Sequence, residues 1–167
     1  MMSFLSEILN YHCPRWDEFP DIDLYMDQVV NILEKNLSIF ESSYSGKIIT
    51  SSMINNYVKQ QVVKPPKNKK YDRVHLSYLF VVCILKRIMS ISEICKGIEG
   101  ILKKYDISDV YNIFCDELEL ALKNAFNCES DSTLSKDLPK EIRLIKTAVT
   151  SFAKLQYAHY LISESNK

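Results

Sequence analysis

The sequence contains only three glycines in 167 residues, too few for the glycine-rich loops that wrap phosphate groups in nucleotide-binding folds. It has no long hydrophobic run either. The longest, LFVVCIL at residues 79–85, falls far short of the roughly 20 residues a helix needs to cross a bilayer. The first eleven residues lack the basic start and extended apolar stretch of a secretory signal. A cytoplasmic protein with no membrane partner is therefore expected. Cysteine occurs five times, in odd number and without CxxC or CxH spacing, which argues against a disulfide framework and against a zinc site. His12 beside Cys13 is the one adjacent His–Cys pair. Nucleophilic catalysis needs a base and an orienting group near the nucleophile, and no local signature supplies such a set. No enzymatic activity, cofactor or metal is expected.

What the chain does have is an ordinary globular balance, 47% hydrophobic and 25% charged residues. Its length suits one domain with a helical appendage. The formal net charge is zero, yet the charges are unevenly placed. Residues 1–46 carry Arg15 and Lys35 against eight acidic side chains. Residues 47–92 carry nine basic side chains against Asp72 alone, and residues 93–167 carry ten basic and twelve acidic ones. A basic block inside a neutral chain points to a polyanionic partner, or to a solvated face paired with the acidic segment before it.

Apolar spacing gives an all-α reading, with nothing that reads clearly as strand. Residues 4–10 form a short helical stretch, and 14–20 a connector whose Trp16 and Phe19 are expected to pack on the body. Asp21, after Pro20, is expected to cap a helix over 22–37 with Ile22, Met26, Val29, Leu33 and Leu37 inward. Residues 38–46 read as a serine-rich loop. Residues 74–88 are apolar on nearly every side and are expected to form the central buried helix. Ser90 and Glu93 have capping-box spacing and open a helix reaching Leu102. Ser108 is expected to cap a helix over 109–127; after a polar linker, residues 140–164 form a last, long helix.

One stretch stands apart: TSSMINNYVKQQ at 50–61, running into VVKPPKNKKYDRVHL. Thr50 is a good N-cap, and Met53, Ile54, Tyr57 and Val58 make one apolar stripe. Ser51, Ser52, Asn55, Asn56 and Lys59 fall on the other side. Serine and asparagine are mediocre helix formers, so packing alone does not account for them. Asparagine can engage adenine bidentately in the major groove, and serine reaches base edges or phosphates. A capped helix N-terminus favours phosphate as well. Pro65 and Pro66 end the helical run, and Lys67, Lys69, Lys70 and Arg73 follow in and after a short basic turn, where they would neutralise phosphates. Tyr57 and Tyr71 read as core anchors, and His75 as a packed or capping histidine.

The order of these parts resembles the DNA-binding half of MerR-type winged-helix regulators. Thr50, Ile54 and Tyr57, the Val62–Val63 and Pro65–Pro66 pairs, Tyr71, His75, Leu76, Leu79 and SISEI at 90–94 carry the resemblance, over about 45 residues. It implies a recognition helix, a basic wing and a following helix. The chain departs from that pattern in four places. A loop of about a dozen residues precedes the recognition helix, Gln61 stands where a closing glycine is usual, the wing is reduced to KNKK, and Asn55 replaces an arginine. Residues 13–103 resemble more closely still a bacterial family, domain of unknown function 1836, through CPRWDEFPDIDLYMDQVV, MINNYVK and YDRVHLSYL. Members of that family are regarded as candidate transcriptional regulators, so the resemblance implies duplex DNA as partner. The expectation is thus an all-α protein in two parts. Residues 1–105 would hold a MerR-like, winged helix-turn-helix DNA-binding domain. Residues 106–167 would hold a C-terminal helical pair that makes a homodimer or senses a small-molecule effector. The competing expectation is an interaction adaptor whose basic 47–92 block docks an acidic partner.

Overall fold

In the structure, a computed structural model, residues 3–42, 46–130 and 135–165 are described. The helices are α1 (Phe4–Leu9), α2 (Met26–Leu37), α3 (Ser51–Lys59), α4 (Arg73–Leu85), α5 (Ile91–Leu102), α6 (Ile107–Phe126) and α7 (Lys140–Glu164). Single 3-10 turns form at Trp16–Glu18 and Ser38–Phe40. Among the described residues β pairing is confined to isolated antiparallel bridges: Leu24 with Tyr71, Ser42 with Gly46, and Lys67 with Lys70. The chain is all-helical, as its apolar spacing implies. Parts of the two expected loops, residues 43–45 and 131–134, lie outside the described residues.

Two compact units form, one from residues 14–99 and one from 1–13 together with 100–167. The grouping differs from a simple division near residue 105. The first thirteen residues join the second unit because α1 finds its partners there. Phe4 lies 6.1 Å from the ring of Phe126 and 5.7 Å from that of Tyr160, and Ile8 is fully buried. The Cys13 backbone N–H donates to Glu119 Oε1 at 2.8 Å. In the same unit α6 and α7 bury Phe114, Leu118 and Leu122 with Ile145, Val149 and Phe152. A largely buried ion pair, Lys146 Nζ to Glu117 Oε2 at 2.7 Å, crosses between them. Helix α6 begins at Ile107 with Asp106 in the N-cap position, ahead of the expected Ser108.

In the 14–99 unit α4 is the central helix. Leu76, Leu79, Phe80, Val82, Cys83, Ile84 and Leu85 are all buried, covering every side of the helix as its all-round apolar sequence requires. Phe19 packs on it, its ring 6.3 Å from Phe80. Helix α5 opens with the expected capping box: the Ser90 backbone N–H donates to Glu93 Oε2 at 2.8 Å, and the Glu93 N–H to Ser90 Oγ at 3.3 Å.

The start of α2 differs most from its expectation. Helix α2 begins at Met26, not Ile22, and Asp21 does not cap it. The Leu24 N–H donates to the Tyr71 carbonyl and the Tyr71 N–H returns the bond, both at 2.8 Å, which holds Leu24 in a bridge to a distant segment. Ile22 is left 67% exposed, and the Tyr25 N–H donates to the Gln28 side chain at 2.8 Å. A helix-like apolar spacing has been overridden by a long-range backbone pairing.

Candidate nucleic-acid interface

Helix α3 is fixed at both ends by local chemistry. Thr50 is extended, and its Oγ1 accepts the Met53 N–H at 3.2 Å. At the other end Gln61 has φ +59°. The Gln61 N–H donates to the Val58 carbonyl at 3.1 Å and the Val62 N–H to the Tyr57 carbonyl at 2.9 Å. These two bonds are the Schellman pair, with Gln61 in the left-handed position where glycine is usual. Val62 is buried beneath the helix end, as that motif favours.

Between the caps the two faces separate as expected. Ile54 and Tyr57 are buried, and burial pushes the Tyr57 phenol pKa up to about 12. Ser51, Ser52, Asn55, Asn56 and Lys59 are all exposed. Beneath the helix a half-buried lysine of the α4 C-terminus, Lys86, acts as a prop. Its Nζ donates to the Ile48 carbonyl at 2.7 Å and lies 5.7 Å from the Tyr57 ring centroid. Burial pulls its pKa below the ordinary lysine value. Pattern reading missed Lys86, although a charge at the end of an apolar helix hints at such a partner.

The basic turn is a one-bridge hairpin. The Lys70 N–H donates to the Lys67 carbonyl at 3.0 Å, and the central residues Asn68 and Lys69 have φ +52° and +62°. Two positive φ values in a four-residue turn mark the I′ type that matches strand twist. The turn is anchored next door by the Leu24–Tyr71 bridge, and Tyr71 is buried. Lys67 and Lys69 are exposed, as is Lys64 before the proline pair. Among the described residues Lys59, Lys64, Lys67 and Lys69 make no ion pair.

Two residues of the expected phosphate-binding set are occupied within the fold. Lys70 Nζ sits 5.1 Å from the centroid of the exposed Tyr25 ring. Arg73 donates to the Phe19 carbonyl at 3.1 Å, lies 3.7 Å from both Asp17 and Asp21, and covers the Trp16 ring at 5.8 Å. It fastens the 16–21 connector to the start of α4. His75 is a capping residue: its backbone N–H donates to Asp72 Oδ1 at 3.0 Å, and its Nδ1 lies 2.6 Å from the same oxygen. Burial pulls the Asp72 carboxyl pKa up, but hydrogen bonds from His75 and the Val74 backbone outweigh it, leaving the pKa below the ordinary value.

Elsewhere, His12 pairs with Glu119 at 3.3 Å, and among the described residues no group of three metal-ligating side chains converges. The described cysteines form no disulfide. No helix among the described residues is long and apolar enough to cross a membrane.

Fold and surface together define an all-helical protein that holds out a capped, polar-faced helix followed by a basic turn. Residues 14–114, more than half of the chain, match the family model described as Domain of unknown function (DUF1836), and the chain belongs to that family. The match takes in the whole of the 14–99 unit and continues into α6. No curated protein and no solved structure matches the chain.

Proposed function

We propose that this protein is a transcriptional regulator that binds duplex DNA, with α3 as a MerR-like recognition helix in the major groove and the 67–70 turn as a reduced wing on the flanking phosphates. The observation that supports this best is the solvent-facing side of α3. It carries short donor–acceptor side chains on a helix whose opposite face and both ends are pinned. Such a helix does not need to reorganise to meet a groove. Four exposed lysines without ion pairs lie in or just after it, the arrangement that counter-ion release exploits. Arg73 is left out of the contact set, since its guanidinium already serves the fold. Exposed Leu144, Leu161 and Ile162 on α7 support a homodimer through the C-terminal helices, which would suit a two-fold operator.

Selection of bound fragments from random duplex DNA, repeated at two salt concentrations, tests the reading. A sequence consensus and an affinity that falls steeply with salt are expected. Asn55→Ala should cost roughly 1–3 kcal/mol and relax base choice at one position. Lys69→Ala should weaken all sequences alike and lower the salt slope by about one unit. An Asn55→Ala variant that loses affinity equally on every sequence has no reading role. Failure of the wild-type protein to shift any duplex, with recovery of an acidic protein partner on the same lysines, would favour the adaptor instead.

A further inference from the structure

Four non-glycine residues hold a positive φ among the described residues: Gln61, Asn68, Lys69 and Cys128. An L side chain there crowds its own carbonyl, and glycine would occupy the position without that cost. Two of the four have an evident reason. Asparagine tolerates the left-handed region better than other residues, which accounts for Asn68. Cys128 closes α6 in the same way that Gln61 closes α3, and its thiol lies 3.2 Å from the Tyr157 hydroxyl, a partner glycine would lack.

Gln61 and Lys69 take positive φ because a helix end and a tight turn require it. Neither residue type favours that backbone, and neither side chain finds a partner there among the described residues. Both side chains are exposed, and among the described residues neither makes a hydrogen bond, ion pair or ring contact. They lie eight positions apart on the segment that joins α3 to α4, with Lys64 and Lys67 between them and Lys59 just before, all three without ion pairs among the described residues. Residues held in sparsely populated backbone regions cluster at functional sites, which makes both positions candidates for contacts outside the fold. Lys69 already belongs to the proposed phosphate contacts; Gln61 does not.

We infer that the Gln61 carboxamide is a DNA-contacting group that extends the binding surface of α3 past the end of the helix. The inference rests on the DNA-binding reading above. A carboxamide at this point both donates and accepts, so it can pair with adenine in the groove or hydrogen-bond to the sugar–phosphate chain. Its left-handed backbone turns the chain sharply at the helix end. Gln61 is exposed there, whereas Ile54, Tyr57 and Val62 are buried. The distinguishing consequence is that stability and binding move in opposite directions at this residue.

The test uses the full chain with Gln61→Gly, Gln61→Ala and Gln61→Asn. Gln61→Gly is expected to raise the melting temperature by about 2–4 °C, through relief of the left-handed backbone. Its affinity for the selected duplex should fall by about tenfold, the loss of a good hydrogen bond. Gln61→Ala, which keeps the backbone cost but removes the amide, should lose the same affinity without the gain in melting temperature. Gln61→Asn, which keeps an amide and tolerates this backbone, should recover part of the binding. A loss confined to duplexes with one particular base assigns the contact to a base edge. A loss equal on all duplexes assigns it to the backbone. If the wild-type protein binds its selected duplex and all three variants bind it as tightly, the inference fails and the α3 reading survives. If the wild-type protein binds no duplex, both fail.

Discussion

Asp72 shows how a single side chain couples protonation to the fold. Its carboxylate accepts the His75 backbone N–H at the start of α4, and its pKa is lowered in the folded chain. A carboxyl that is more acidic folded than unfolded contributes stability above its unfolded pKa, near 3.9, and loses it as pH falls through the lower folded value. Asp72→Ala is therefore expected to cost about 1 kcal/mol at neutral pH, the usual loss of an N-cap. Urea melts repeated below about pH 4 should show that difference shrinking. A gap that stays constant down to pH 2 would mean the carboxylate is not what caps the helix. Residue roles of this local kind were legible in the sequence. Thr50 caps α3, and Ser90 and Glu93 reciprocate, because each depends on neighbours a few positions away, whereas the caps expected from Asp21 and Ser108 gave way to other starts. Arg73 was not legible. Its partners are Phe19, Asp17 and Asp21, which spacing along the chain does not bring to mind.

At the scale of elements, helix existence and type followed from apolar period, and α5 and α7 begin and end where their patterns place them. The start of α2 did not. The Leu24–Tyr71 bridge satisfies backbone groups across a long sequence separation, and no window of a dozen residues contains both halves. Helix α3 was legible as an element, but its support was not. Lys86 reaches from the end of α4 to the Ile48 carbonyl just ahead of the α3 cap. Lys86→Met removes the donor, keeps most of the apolar stem, and leaves that carbonyl unmatched. The expected result is a loss of about 1–3 kcal/mol in stability. On the proposed DNA-binding reading, affinity should fall on all sequences alike, with the salt slope unchanged. A salt slope reduced as far as in Lys69→Ala would place the Lys86 ammonium on a phosphate instead. Hydrogen exchange at the Met53 and Ile54 amides reads the same effect directly, since a loosened helix start opens more often.

Along the sequence, residues 14–99 are inserted between the two pieces that make the second unit. Charge asymmetry in the sequence gave no sign of this nesting, which depends on α1 meeting α6. Ile8 measures it. Ile8→Ala removes a fully buried side chain and should cost about 2–5 kcal/mol. The only tryptophan, Trp16, belongs to the 14–99 unit and is its fluorescent reporter. The helical transition followed by circular dichroism should therefore shift while the Trp16 fluorescence transition stays in place. A common shift of both would mean the units melt as one. Nesting also sets a schedule for synthesis. At roughly 5–20 residues per second, α1 leaves the ribosome on the order of ten seconds before α6 exists to receive it. Over that interval Phe4 and Ile8 stay in contact with water, without the rings of Phe126 and Tyr160 and the burial that α6 and α7 later supply.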